Sequence, residues 1–294
     1  MKAHKKCLVC DSPKLKTLSE QYEKKGLVKC GRCGFVFMKQ IPSIEELSKF
    51  YSSYSYASKG YLPPLTRISY NKLLDQFEKH RKHNTILDVG AGRGWFLDEA
   101  KNRGWKVYAT EFSETAVESM RMNGIQVEEG ALNETMFRDV TFDVVTSFEV
   151  IEHINNPQEE LQIIGKLLRK GGLFYCTTPN YNSIMRYYLG ASYNIINYPE
   201  HLSYYTPTTI NHLFKKNGFK RKKLITTGIS ISRINASQGN SKERSTDRGS
   251  KDEKLRQVLS GNQFMRRVKT FANFLLSISS LGMTIKAYYI NNGH

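Results

Sequence analysis

The segment TILDVGAGRG at residues 85–94 joins a mostly apolar run to three glycines at alternate positions, and a helical pattern follows from Trp95. The order is strand, tight turn and helix N-terminus. An α/β sheet binds nucleotide-like ligands at such a turn, because glycines let the backbone approach the ligand and the first helical turn offers free N–H groups. A second apolar run ends at Glu111, seventeen positions after Gly94, where a ribose-binding carboxylate belongs.

The spacing of the glycines indicates which ligand the turn suits. A dinucleotide fingerprint needs its third glycine at position 95, which is Trp95 here. The pattern D-x-G-x-G-x-G instead resembles motif I of the class I S-adenosylmethionine (SAM) methyltransferases. In that family the turn packs against the methionine and ribose of the cofactor, and an acidic residue placed like Glu111 bonds both ribose hydroxyls. The resemblance implies SAM as cofactor and a site formed by Asp88, Gly90, Ala91, Gly92, Gly94, Glu111, Phe112 and Glu149. An ordinary glycine turn is the alternative.

Three further segments strengthen this resemblance. FDVVTSFEVIEH at residues 142–153 resembles the fourth-strand motif of ubiquinone-biosynthesis-type O-methyltransferases. GGLFYCTTPN at 171–180 is similar to the fifth strand of that family with its terminal turn, and YPEHL at 198–202 to a segment that follows it. The resemblance extends over roughly residues 84–225. It implies an α/β fold with the Rossmann-like, seven-stranded sheet of the class I methyltransferases.

The pattern of apolar residues between these motifs predicts alternating helices and strands. The predicted helices are Tyr70–His80, Trp95–Asn102, Ser113–Met122 and Gln158–Arg169, and the additional predicted strands are Lys106–Thr110, Ile125–Glu128, Lys222–Thr227 and Met283–Ile290.

Four of the five cysteines form two CxxC pairs separated by nineteen residues, which is typical of a zinc ribbon. Each pair can place two thiolates about 2.3 Å from one metal ion. The predicted ligands of Zn²⁺ are Cys7, Cys10, Cys30 and Cys33. Because four thiolates leave no open coordination position, we expect a structural metal. Two disulfides, which need an oxidising compartment, and an iron site are the alternatives.

These patterns predict three regions: a zinc ribbon at 1–40, a linker or lid at 41–83 and a SAM-dependent methyltransferase domain at 84–294. Ser43, with Glu46 three residues later, predicts the start of a short helix. The segment from this helix to Tyr54 and Tyr56 either covers the cofactor or merely packs outside the sheet. Residues 235–262 are polar and charged without apolar periodicity, which predicts a mobile insertion.

The chain of 294 residues carries a formal net charge of +17. Residues 214–270 contain sixteen Lys and Arg against four Asp and Glu. This excess suits nucleic acid, an anionic membrane surface or a phosphorylated substrate, or it is only a solvated face. The apolar stretch 271–283 beside Arg266 and Arg267 either lies on a membrane surface or, as we expect, forms a buried terminal helix. No apolar run reaches the length of a membrane span and no signal sequence is visible, so a cytoplasmic protein without a transmembrane segment is expected.

Methyl transfer to a hydroxyl needs a general base, and four residues near the predicted ligand edge are candidates. His201 is the first choice and His153 the second, while Glu149 is expected to face the cofactor and Glu152 to lie on a helix surface. No metal-dependent catechol-type arrangement is evident. The favoured function is methylation of a small-molecule hydroxyl, on a sugar, an envelope-glycan precursor or a secondary metabolite. An RNA methyltransferase and a non-catalytic SAM-binding protein are the alternatives.

Overall fold

The computed structural model of the protein describes residues 2–43, 46–47, 61–239, 254–255, 258 and 261–293. Seven strands form the main sheet in the order β10-β11-β8-β7-β4-β5-β6. Their bounds are β4 Thr85–Val89, β5 Lys106–Glu111, β6 Gln126–Glu129, β7 Phe142–Phe148, β8 Leu168–Pro179, β10 Phe219–Thr227 and β11 Thr284–Asn291. The neighbours from β8 to β6 pair in parallel, whereas β11 is antiparallel to both β8 and β10. The predicted seven-stranded Rossmann-like sheet is therefore confirmed.

Helices lie between the strands, as a parallel sheet requires. The described helices are α1 Glu20–Glu23, α2 Pro64–Phe77, α3 Trp95–Asn102, α4 Glu114–Met122, α5 Pro157–Leu167, α6 Ile184–Leu189, α7 Pro207–Lys216, α8 Ile231–Ser237 and α9 Gln263–Ile278. Helix α2 begins six residues earlier than the sequence pattern predicts, because Pro64 supplies a fixed φ at the first helical position. Helix α5 ends before its predicted end, and Leu168 already belongs to β8.

Two glycines of the turn after β4 have no room for a side chain. A Cβ on Gly90 would lie 2.7 Å from Cγ2 of Val150, and a Cβ on Gly94 would lie 2.7 Å from Cγ of Met120. Both glycines also have φ near +70°, a conformation that other residues adopt only with strain. The turn therefore packs directly against the segment that follows β7.

The N-terminal region forms a second sheet of four antiparallel strands, ordered β1-β2-β3-β9. Three of them come from the cysteine-rich region, namely β1 Leu15–Thr17, β2 Leu27–Cys30 and β3 Val36–Met38. The fourth, β9 Ser203–Tyr204, lies between β8 and α7 of the large domain. The N–H of Met38 donates to the carbonyl of Leu202 at 2.9 Å, and Phe35 packs on Tyr205. The ribbon is thus joined to the large domain next to the predicted base His201.

Parts of two predicted segments lie outside the described residues. They include Tyr54 and Tyr56 of the predicted lid or linker and most of the insertion at 235–262. The polar cap of the first is described: the N–H of Ser43 donates to Glu46, and that of Glu46 donates to Ser43. Within the part of the insertion that is described, α8 extends to Ser237.

The expectation of a buried terminal helix is wrong. Helix α9 lies on the surface, and none of its residues is buried. Its C-terminal end is fixed to β10, where the hydroxyl of Thr226 donates to the carbonyl of Leu276 at 2.7 Å. Among the described helices, none has the length and apolar character needed to span a bilayer.

Candidate functional site

The glycine turn is bound to the end of β5 by the carboxylate of Glu111. The N–H of Gly92 donates to Oε2 at 2.7 Å, and the N–H groups of Phe112 and Ser113 donate to Oε1 at 2.9 and 3.0 Å. A carboxylate offers about four acceptor positions, so Oε2 retains capacity for one more donor, such as a ribose hydroxyl. Glu111 thus holds the shape of the turn while presenting an oxygen at the carboxyl edge of the sheet, where open α/β sheets bind ligands.

Asp88 is buried under the same turn. The hydroxyl of Thr146 on β7 donates to its Oδ1 at 2.7 Å. Burial raises the pKa of Asp88 to about 7, and the charge of Glu111 raises it as well. Burial, together with the charge of Asp88, raises the pKa of Tyr70 of α2 to about 12. A positively charged ligand over the turn would favour the ionised form of Asp88.

The structure places the two remaining predicted cofactor residues at the same edge. Phe112 directly follows Glu111 and leaves 52% of its surface exposed, so one side of its ring can pack against a planar group. Glu149 follows β7 with φ of +55°, and its N–H donates to the carbonyl of Thr177 at 3.0 Å. A left-handed glutamate is strained, and such strain concentrates at functional sites. Burial raises the pKa of Glu149.

Glu152, His153 and His201 come together beside this edge. Glu152 and His153 lie in the single helical turn after β7, whereas His201 lies in the loop before β9. Their ligand atoms lie within 4.8 Å of one another, and the two imidazole rings meet edge to face with centroids 4.8 Å apart. The sequence indicated both histidines separately but gave no signal that they are in contact, because 47 residues separate them along the chain.

Backbone carbonyls fix the orientation of both imidazoles. Nδ1 of His201 lies 2.7 Å from the carbonyl oxygen of Ile195, and Nδ1 of His153 is bonded to that of Glu200. A carbonyl only accepts, so Nδ1 carries the proton in each ring and Nε2 is left as an acceptor. Burial lowers the pKa of His153, and burial together with the His153 charge lowers that of His201 to about 4. Both rings are therefore neutral near pH 7.

Glu152 is a buried residue and not the helix-surface residue that the sequence suggested. The hydroxyl of Thr178 donates to its Oε2 at 2.9 Å, while Oε1 has no hydrogen-bond partner among the described residues and lies 3.8 Å from Nε2 of His153. Burial, with the charge of Glu149, raises its pKa well above the usual range. Two imidazole nitrogens and a carboxylate can accept a proton or bind a divalent cation. The sequence pattern predicts no metal ligands among these three residues.

The four cysteines of the ribbon converge as the CxxC spacing predicts. Their sulfur atoms lie within 4.8 Å of one another. The cross-pair distances are 3.5 Å from Cys7 to Cys33 and 3.6 Å from Cys10 to Cys30, which are far longer than the roughly 2.05 Å of a disulfide. Four sulfurs about 2.3 Å from a tetrahedral Zn²⁺ would lie roughly 3.8 Å apart. The arrangement of the thiols therefore suits a zinc ion, and the structure joins none of the four in a disulfide.

The ribbon also contacts the large domain through α5 and α7. The side-chain amide of Gln158 donates to the carbonyl of Leu8 at 3.0 Å and to Asp11 at 2.8 Å, and Lys216 forms an ion pair with Asp11. Together with the pairing of β3 and β9, these contacts attach the ribbon to α5, to α7 and to the strand that begins two residues after His201.

One residue of the FDVV segment has a role that the sequence did not reveal. Asp143 is fully buried, and its Oδ2 accepts the backbone N–H groups of Lys82, His83 and Asn84 at 2.7 to 2.8 Å. The guanidinium of Arg169 donates to Oδ1 at 2.7 Å. Despite the cost of burial, these donors lower the pKa of Asp143. The aspartate therefore fixes the entry to β4, and the signal for this was a charge inside an apolar strand.

The seven-stranded sheet, with a glycine turn at its carboxyl edge, has the architecture of a class I methyltransferase. Residues 65–223 match a family described as a methyltransferase domain, and the chain belongs to this family. It is similar to a ubiquinone biosynthesis O-methyltransferase of Nitrosomonas europaea, with 24% identity over 54% of this chain and 72% of that protein. A protein of the same name from Alkalilimnicola ehrlichii is 30% identical over 37% of this chain and 47% of that protein.

A solved structure shares the fold of this chain. The SAM-dependent methyltransferase from Archaeoglobus fulgidus superimposes with a TM-score of 0.52 and 16% identity, covering 82% of this chain and 99% of that one. Family and fold together make the protein a SAM-dependent methyltransferase, which confirms the enzyme class and the cofactor expected from the sequence.

Proposed function

We propose that this enzyme transfers a methyl group from SAM to a hydroxyl of a small molecule, such as a sugar, an envelope-glycan precursor or a secondary metabolite. The observation that carries the proposal is the pair of neutral imidazoles, His153 and His201, whose Nε2 atoms are left as acceptors beside the cofactor edge. An alcohol must lose its proton during attack, and a neutral imidazole can take it. The matched relatives named as O-methyltransferases support an oxygen acceptor.

We assign the cofactor to the residues of the glycine turn and of the ends of β5 and β7. With SAM bound, Glu111 would accept a ribose hydroxyl through Oε2, Phe112 would pack on the adenine, and an ionised Asp88 would offset the positive charge above the turn. The backbone can approach the methionine part of SAM because the turn consists of small residues, namely Gly90, Ala91, Gly92 and Gly94. Glu149 forms the boundary of the cofactor site at the end of β7. When bound, SAM supplies an already activated methyl group, so the protein needs only to align the acceptor, exclude water and remove one proton.

His201 is proposed as the general base, with His153 as its neighbour. Ile195 holds His201 in the tautomer whose Nε2 accepts the acceptor proton. Glu152 belongs to the same cluster, with its Oε1 3.8 Å from Nε2 of His153. We further propose that Cys7, Cys10, Cys30 and Cys33 bind one structural Zn²⁺, which keeps β3 and β9 in place and with them the base.

The test is transfer of label from radioactive SAM to a cell extract separated into RNA, protein and low-mass fractions. We expect label in the low-mass fraction, carried as a base-stable methyl ether. His201→Ala should lower this transfer by about 10²- to 10⁴-fold, the usual contribution of a general base, with unchanged SAM affinity. The matched control is His212→Ala, which removes an exposed histidine of α7.

Other outcomes identify the alternatives. Label in RNA would favour the RNA methyltransferase that the basic region permits, and SAM binding without any transfer would favour a non-catalytic protein. Full turnover by the His201→Ala variant would exclude His201 as the base. A rate that depends on added Mg²⁺ or Mn²⁺ would show that the cluster works through a metal ion.

A further inference from the structure

Helix α9 exposes an apolar face to solvent. Its large exposed residues are Phe264 (71% exposed), Val268 (42%), Phe271 (63%), Phe274 (57%), Leu275 (50%) and Ile278 (68%). These positions follow the spacing i, i+4, i+7, i+10, i+11 and i+14, so they lie within about 120° of one another around the helix axis. We call these six residues the outer face of α9. The face is a continuous stripe, unlike the scattered apolar residues of ordinary protein surfaces.

The side of α9 that packs on the protein is more polar than its outer face. Asn273 accepts the N–H of Gly228 through Oδ1 at 2.9 Å, and the carbonyl of Leu276 accepts the hydroxyl of Thr226 at 2.7 Å. Met265, Lys269 and Ser277 are the other half-buried positions on this side. A helix on a soluble domain normally turns its apolar stripe to the core. Here the orientation is reversed, so the outer face suits a partner that is itself apolar.

The charge of α9 indicates what kind of partner this is. The helix contains Arg266, Arg267 and Lys269 and no acidic residue. Arg267 lies within the outer face, about 20° from Phe274 on one side and about 20° from Ile278 on the other around the axis. An exposed apolar stripe that carries an arginine, on a helix without acidic residues, is the pattern of helices that lie in the interface of a bilayer with anionic headgroups. The net charge of +17 attracts the whole protein to such a surface.

A second exposed apolar group lies next to the end of α9. The N–H of Ile184, the first residue of α6, donates to the carbonyl of Leu281 at 3.0 Å. Ile184, Tyr187 and Tyr188 on α6 are exposed by 44%, 59% and 70%. Tyrosine is enriched at membrane interfaces, because its ring is apolar and its hydroxyl is polar. The apolar surface thus continues from α9 to α6.

This surface is anchored at the edge of the sheet that carries the SAM site. Asn180 directly follows β8, and its side-chain amide donates to the carbonyls of Ser280 and Gly282 at 2.9 and 2.7 Å. These two residues link α9 to β11. We propose that the protein docks reversibly on an anionic lipid bilayer through the outer face of α9, with the carboxyl edge of its sheet near the membrane. This inference does not depend on the proposed acceptor.

Vesicle sedimentation with the full chain tests the proposal. The probes are vesicles of phosphatidylcholine alone and of phosphatidylcholine with about one third phosphatidylglycerol. We expect binding to the anionic vesicles and weak binding to the neutral ones. Binding should be lost in about 0.5 M sodium chloride, because the salt screens the attraction between the basic protein and the anionic headgroups. The double variant Phe271→Ser/Leu275→Ser should bind at least about tenfold more weakly, because it removes apolar area from the outer face.

Two controls separate docking from loss of structure. Met122→Ser removes an apolar side chain of α4 that is 83% exposed and lies outside this surface, so it should leave vesicle binding unchanged. SAM affinity and thermal unfolding should be the same for the double variant and the wild type, because the substituted residues are exposed. Absence of binding to anionic vesicles would overturn the proposal. So would binding to RNA only, or a dimer that the double variant abolishes, since the face would then serve another partner.

Discussion

Glu111→Gln is the substitution that probes the cofactor edge most sharply. The carboxylate accepts three backbone N–H groups, two on Oε1 and one on Oε2. A glutamine of the same shape has only one oxygen, so its NH₂ group must face an N–H donor on one side. The turn at Gly92 or the backbone at Phe112 and Ser113 then loses its acceptor.

The magnitude follows from the number of bonds lost. A hydrogen bond to a charged group contributes about 1.5–3 kcal/mol, and at least one such bond is removed. The site also loses the charged acceptor that we assign to the ribose. We therefore expect SAM affinity to fall by about 2–3 kcal/mol, which is about 30- to 150-fold in Kd. Thermal stability should fall as well, because the same bonds hold the turn in the absence of ligand.

Calorimetric titration of SAM and of S-adenosylhomocysteine measures the effect. The matched control is Glu118→Gln, which removes the charge of an exposed glutamate on α4 and should leave Kd unchanged. A folded Glu111→Gln protein that binds SAM as tightly as the wild type would refute the role assigned to this carboxylate.

Three further predictions concern the pH dependence, the metal and the fold. The pKa of Asp88 is raised to about 7, so about a tenth of the protein carries an ionised Asp88 at pH 6. Because the ionised form is the one that binds the positively charged SAM, the affinity measured by calorimetry should rise about tenfold from pH 6 to pH 8. A flat profile, or the same profile in Asp88→Asn, would contradict this. Cys30→Ser should remove bound zinc in metal analysis and abolish turnover while SAM binding persists, because the ribbon supports His201; normal turnover would refute that coupling. Asp143→Asn should cost about 3–5 kcal/mol of unfolding free energy in denaturant titration, because Arg169 is left unpaired. The pKa of Asp143 is lowered on folding, so the wild type should lose the stabilising free energy of the ionised carboxylate as pH falls below about 4, whereas the variant has none to lose. Acid unfolding curves of the same shape for both proteins would contradict this prediction.

Much of the large sheet could be predicted from the sequence, because the signals that define each strand and helix lie close together along the chain. Apolar runs, glycine stops and the motif after β4 each lie within a few residues, and the helix Trp95–Asn102 matches its predicted bounds. The insertion of β9 into the sheet of the ribbon could not be predicted in this way. It pairs Val36 with Tyr204, residues far apart in sequence, and two residues of strand carry no periodicity.

In the candidate site, too, some residues follow from a local motif and others are brought together only by tertiary packing. The residues of the glycine turn and Glu111 follow from a motif, whereas the contact between His153 and His201 depends on tertiary packing. The sequence pattern predicts a surface position for Glu152, because a charged residue in a helical pattern is usually solvated. Its burial depends on Thr178 of β8 and on the loop before β9, neither of which is near it in sequence. The exposed face of α9 was missed for the opposite reason, since an apolar stripe normally predicts burial.

The most direct test of the central claim is a calorimetric titration of the purified wild-type protein with SAM, S-adenosylhomocysteine, NAD and ATP. If the turn from Asp88 to Gly94 and the carboxylate of Glu111 form a SAM site, the first two ligands should each bind at one site per chain, and the other two should give no heat of binding. Uptake of NAD or ATP without any response to SAM or its demethylated product would contradict the account.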